Sequence, residues 1–120
     1  MTGVVSNIKD KALKNTYFRE VLETGIYTQV VIMSIPVGED IGMEIHKDND
    51  QVLCCVAGQG KVVLNGEEAS FNEGDLVLVR AGVRHNFLNV GDVDLKIITT
   101  YSPPHHPEGT IHKNKEEAAG

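Results

Sequence analysis

The sequence predicts an all-β domain, a sandwich or barrel of short strands closed around an aliphatic core. Three observations carry this. Between Tyr27 and Tyr101, β-branched runs recur and are broken by Gly, Asn and Asp at the spacing of short strands. Asn65-Gly66 stands between two such runs, Lys61–Leu64 and Glu67–Phe71, and is a type I′ hairpin signal because both residues tolerate positive φ. The composition, 41% hydrophobic with 12 Gly, no Trp and 5% aromatic residues, suits a turn-rich fold with little aromatic bulk. At 120 residues the chain can close one core and not two.

Taken in order, residues 1–26 form an N-terminal arm. Within it Lys9 to Glu23 carries Leu13, Tyr17, Val21 and Leu22 at mixed helical spacing, which suggests one short helix or an irregular segment. Residues 27–101 hold the barrel, with strands expected at Tyr27–Ile35, Gly42–Ile45, Gln51–Ala57, Gly60–Leu64, Glu67–Phe71, Asp75–Val79, His85–Asn89 and Leu95–Tyr101. Asn72-Glu73-Gly74-Asp75 and Val90-Gly91-Asp92 read as further turns. Residues 102–120 are a C-terminal extension: Pro103, Pro104 and Pro107 stop the last strand, and Lys113 to Ala119 is a charged, Ala-rich stretch expected to form one exposed turn or to fray.

Charge and composition exclude several classes. Eleven Lys plus Arg against 17 Asp plus Glu leave a net charge of −6, and no basic patch interrupts the acidic balance, so nucleic acid is not expected as a partner. No run approaches the roughly 20 apolar residues of a membrane-spanning helix, and the first residues lack the apolar stretch of a secretion signal. The expectation is therefore a cytoplasmic protein without a membrane partner. Cys54 and Cys55 are adjacent in an apolar run, where successive strand side chains face opposite ways, so they read as reduced core thiols. A redox or thiolate metal site would need a spaced partner.

The informative segment runs from Gly38 to Gln51. Residues two apart in a strand share a sheet face, so Glu44 and His46 point one way while Met43 and Ile45 point the other. Gln51 then begins the next apolar strand. A second histidine, His85, starts a strand after the Gly82 turn, so two histidines and a carboxylate can meet inside one barrel. Leu53, Cys55 and Ala57 share the parity of Gln51, and Phe87 and Asn89 that of His85, which implies a small, mostly apolar pocket suited to a small ligand.

Over roughly Val31 to Tyr101 these residues resemble a small single-domain cupin. The first cupin motif runs Gly, five residues, His, one residue, His, four residues, Glu, six residues, Gly; here Gly38, Glu44, His46, Gln51 and Gly58 stand at those places. The second runs Gly, five residues, Pro, one residue, Gly, two residues, His, three residues, Asn; here Gly74, Arg80, Gly82, His85 and Asn89 do. The resemblance implies a double-stranded β-helix, or jelly-roll barrel, with short N- and C-terminal arms. The family's usual metal set is three histidines and a glutamate, whereas this chain offers Glu44, His46, Gln51 and His85. The carboxylate has changed place, leaving two histidines and one carboxylate, with the Gln51 amide as a weak fourth ligand or a hydrogen-bond partner. Such a set accepts Fe, Mn, Ni, Co or Zn as a divalent ion, and affinity order alone does not choose among them.

The resemblance points to a metal-dependent enzyme acting on a small polar substrate. Dioxygenase chemistry would suit iron; isomerase-like or hydrolytic chemistry would suit zinc or manganese. No nucleophile or separate general base is identifiable. The alternatives are a non-catalytic small-ligand binding or sensor module and a barrel without metal. Arg80 and Arg84 either clamp an acidic ligand at one rim or lie solvated among Asp and Glu. The tail carrying His105, His106 and His112 is read as a strap closing the barrel rather than as a second metal site, since Ser-Pro-Pro endings resemble those of mannose-6-phosphate isomerase-like cupins. A homodimer is the partner the family implies, with the Val4 to Val31 arm pairing on a neighbour's sheet edge.

Overall fold

The computed structural model describes residues 2–119 as two antiparallel sheets packed face to face, a jelly-roll β-sandwich. The chain runs α1 (Ile8–Lys14), β1 (Arg19–Thr24), β2 (Gln29–Ile35), β3 (Glu44–Ile45), β4 (Asp50–Ala57), β5 (Gln59–Leu64), β6 (Glu67–Asn72), β7 (Leu76–Val79), β8 (Arg84–Asn89), β9 (Leu95–Ser102), β10 (Ile111–His112) and α2 (Lys115–Ala119). One sheet has the order β10-β1-β2-β9-β4-β7 and the other β3-β8-β5-β6.

Strand alternation builds the core. Inward-facing Val31, Met33, Leu53 and Ile97 of the six-stranded sheet meet Val62, Phe71 and Phe87 of the four-stranded one in a single buried cluster. Phe71 and Phe87 pack edge to face, ring centroids 5.0 Å apart. The Asn65-Gly66 hairpin joins β5 to β6 as the sequence implies, with both residues at positive φ. Gly58 is obligatory for a second reason: at φ 97°, a Cβ there would stand 2.9 Å from the Asp94 carbonyl oxygen. Cys54 is half-buried and Cys55 buried, both free; burial pushes the Cys55 thiol up to about 11, as befits packing rather than reactivity.

The arm holds one short helix followed by a strand. A helix covers only Ile8–Lys14; Asn15 then turns the chain, its side chain accepting from the Tyr17 amide and donating to the Tyr17 carbonyl. From Arg19 the period changes to two, with Arg19 and Val21 facing inward as β1. The Val21 that suggested a helical stripe belongs to this strand. The arm expected to reach a neighbour's edge also pairs within its own chain, β1 lying between β2 and β10. Other boundaries shift by a few residues: Tyr27 is 81% exposed and precedes β2, and Asp75 closes a turn by accepting from the Asn72 amide, so β7 starts at Leu76.

Between β9 and β10 the proline-rich segment crosses the mouth of the sandwich and is pinned by one buried side chain. The Gln29 carboxamide oxygen accepts from the amides of His105 and His106, and its nitrogen donates to the His106 carbonyl (2.7 Å) and the Thr24 hydroxyl. Gln29 is fully buried, so losing it strands buried backbone groups of the crossing segment. Gln29→Leu is expected to cost about 2 kcal/mol or more, read as a lower urea midpoint at unchanged slope. An unchanged midpoint would show that the segment is held by other contacts.

Candidate metal centre

The site is assembled where the two sheets meet at this mouth. Glu44 lies opposite His85 in the β3–β8 register, and His46 follows β3 at the same parity. Met43 and Ile45, at the opposite parity, are exposed, as the alternation requires. The Gly82 turn is tied to β3 by its amide, which donates to the His46 carbonyl oxygen (2.8 Å), so the loop that starts β8 is fixed to the strand carrying the first two side chains. One ligand-capable atom from each of Glu44, His46 and His85 lies within 4.8 Å of the others. This cluster could hold a metal ion.

Its electrostatics suit a cation. His46 is 7% exposed and His85 2% exposed, whereas the Glu44 side chain keeps about a third of its surface. His85 Nδ1 donates to the Val83 carbonyl oxygen (2.8 Å), the only role open to a partner of that acceptor, which leaves Nε2 as its unpartnered atom. The Nε2 of His46 is likewise buried without a hydrogen bond, 3.9 Å from a Glu44 carboxylate oxygen. Burial holds His46 down to about 4, helped by His105, His85 and Arg19, so its ring is neutral near pH 7. Gln51, opposite Tyr101 on β4, donates through Nε2 to Thr99 Oγ1 (3.1 Å), while its Oε1 is buried with no partner. Buried acceptors without donors are uncommon and costly. Two imidazole nitrogens and a carboxylate form a donor set that fits a divalent ion.

Several neighbours carry no motif signal. Tyr101 is wholly buried against His46, ring centroids 5.8 Å apart, and its hydroxyl is pushed up to about 12, chiefly by burial. From the crossing segment, His105 brings its ring to 4.5 Å from that of His46 and stacks on Tyr101. The three-histidine tail was the signal available for this, and the strap reading accounts for its position. Arg80 and Arg84 are exposed, and Arg84, next to His85 in β8, faces away from the cluster. The guanidinium at the site belongs to Arg19 instead. Together with Glu44, His105, His106, His112 and Met43 it lines a cavity of about 330 Å³ beside the cluster. Leu53 and Cys55, expected around a ligand, are packed in the core, so the cavity is more polar than the sequence suggested. A larger hollow of about 490 Å³ lies away from this chemistry, against α1 and the Lys14 to Tyr17 turn.

The family model described as "Cupin domain" matches residues 31–101. The chain is 39% identical over 120 residues to the uncharacterized protein YrkC of Bacillus subtilis, covering 95% of this chain and 64% of that protein, so it spans under two thirds of that relative's length. It is 36% identical to the uncharacterized protein L612 of Acanthamoeba polyphaga mimivirus, covering 97% of this chain and 75% of the relative. The crystal structure of BH2720 from Bacillus halodurans superposes with a TM-score of 0.95 at 40% identity, covering 98% of this chain and 93% of that one.

The lowered histidines make a signed pH dependence. Besides His46, burial and Arg19 hold His106 down to about 3. In the unfolded chain both would take up protons near the ordinary 6.5, so the stability from keeping them neutral is complete above that pH. It is lost progressively as pH falls from 6.5 through about 4 and then 3. Chelator-treated protein is expected to melt at steadily lower temperature on that descent, and His46→Gln to lose less. Parallel profiles for the two proteins would refute this assignment.

Proposed function

This chain belongs to the cupin family, and on that premise we propose that it is a metal-dependent enzyme in which Glu44, His46 and His85, assisted by Gln51, present a divalent ion to a small polar substrate. The observation that carries the reading is that one ligand atom from each of Glu44, His46 and His85 lies within 4.8 Å of the others, with both histidine Nε2 atoms buried and unpaired. A bound ion of the Fe, Mn, Ni, Co or Zn class supplies Lewis-acid activation of an oxygen ligand.

The chain's own residues do the rest. The Val83 carbonyl fixes the His85 ring, and Thr99 orients the Gln51 amide so that its oxygen stays free. Tyr101 and the His105–His106 segment cover the mouth and limit water. The 330 Å³ beside Glu44 admits a molecule of a few carbon atoms, which favours isomerase- or dioxygenase-like chemistry on a small substrate over action on a polymer. Non-catalytic small-ligand binding is the second reading. It is favoured by the cavity wall, where no hydroxyl or thiol stands and Lys115 is held by Asp40.

Elemental analysis of untagged protein purified without chelator is expected to find about one divalent ion per chain. Glu44→Ala, His46→Ala and His85→Ala should each lower the occupancy at least about tenfold, the usual scale for losing a ligand or its support. Removing the ion should lower the melting temperature, because an ion that binds only the folded chain stabilises it by mass action. Full metal content in all three variants would overturn the site.

A further inference from the structure

We propose that the cavity beside the metal cluster is a carboxylate-binding subsite with Arg19 as the anion receptor, so that the ligand of this protein is a small organic acid. The inference deepens the function proposed above and rests on it for the position of the ligand next to the ion.

Arg19 is the observation that carries it. The residue is 4% exposed, on a strand face otherwise committed to the core, yet none of the ion pairs among the described residues involves it. Its Nη1 meets His112 Nδ1 at 3.1 Å, but Nε is buried with no partner. A buried cation without an anion is costly unless something supplies the opposite charge. Among the described residues no side chain does so. Of the described residues lining the same space, the only carboxylate is Glu44, which makes no ion pair with Arg19 and belongs to the cluster. The missing anion is therefore assigned to the ligand.

The chemistry narrows the class. A guanidinium offers a planar fork that matches a carboxylate in two parallel hydrogen bonds. Phosphate would place a second negative charge beside Glu44, and the other cation of the cavity, Lys115, is already held by Asp40. One free positive charge matches one carboxylate. The volume, about 330 Å³, lies at the small end of ligand sites. Because Arg19 and Glu44 line one cavity, an acid held by its carboxylate on Arg19 keeps its other end toward the cluster.

Titration calorimetry on manganese-loaded protein, with acetate, pyruvate, succinate and inorganic phosphate as probes, tests this, and manganese content is measured on the same samples. At least one of the three acids is expected to bind at about 1 mM or tighter, and phosphate at least about tenfold more weakly. Arg19→Gln and Arg19→Lys should each weaken the acid at least about tenfold with manganese content unchanged, the lysine variant because it keeps the charge and loses the fork. If the glutamine variant does not fold, the lysine variant decides. Saturable binding of no acid, equal binding by variants and wild type, or tighter binding of phosphate would each overturn the subsite. Should the wild type take up no manganese, the metal reading fails by itself. The same titrations on metal-free protein then decide Arg19, with the same loss expected in Arg19→Lys.

Discussion

Everything in this molecule depends on buried lone pairs that the protein itself leaves without donors. His46 Nε2 and His85 Nε2 lie out of water beside the Glu44 carboxylate, Gln51 Oε1 is likewise buried, and none of the three has a hydrogen-bond partner among the described residues. A folded chain tolerates such a group where something else completes it. The sheets are what force the convergence. Glu44 faces His85 across β3 and β8, and Gln51 faces Tyr101 across β4 and β9; a slip of one residue in either pair would turn these side chains out of the sandwich.

The closing of the mouth follows from a second buried polar group. Gln29 uses both ends of its carboxamide to hold the segment that carries His105 and His106, and that segment brings aromatic surface against His46 and Tyr101. The resulting burial is what holds His46 and His106 neutral well below the usual imidazole range. Neutral imidazoles can ligate a cation, and they leave Arg19 as a buried cation with no carboxylate partner among the described residues. Apart from the Lys115–Asp40 pair, charge at the mouth among the described residues is thus one carboxylate on the cluster and one guanidinium beside it.

Much of this was legible in the sequence because period-two alternation is a local property. Glu44 and His46 could be placed on one face, and Met43 and Ile45 on the other, without knowing what lay opposite. The turn glycines fixed the spacing between the two motif segments, and Gly58 and Gly82 indeed occupy positive φ. What stayed hidden was long-range. Nothing near Arg19 announces that β1 inserts between β2 and β10, so the sequence leaves the arm as a short helix or an irregular segment and offers no guanidinium for the site except Arg80 and Arg84, which are exposed as their solvated reading implies. The partners of Gln29 lie 76 and 77 residues away, and no pattern within a strand encodes such a pairing. The polar character of the cavity was missed for the same reason, since its walls come from the strap, β1 and α2 rather than from Leu53 and Cys55.

In the proposed centre one ion seats between Glu44, His46 and His85. Crystals grown with manganese, with anomalous diffraction recorded above and below its absorption edge, test it most directly. A single strong peak is expected, bonded to the Nε2 atoms of both histidines and to a Glu44 oxygen. A peak seated instead on His105, His106 or His112, or none at the cluster in fully loaded crystals, would contradict it.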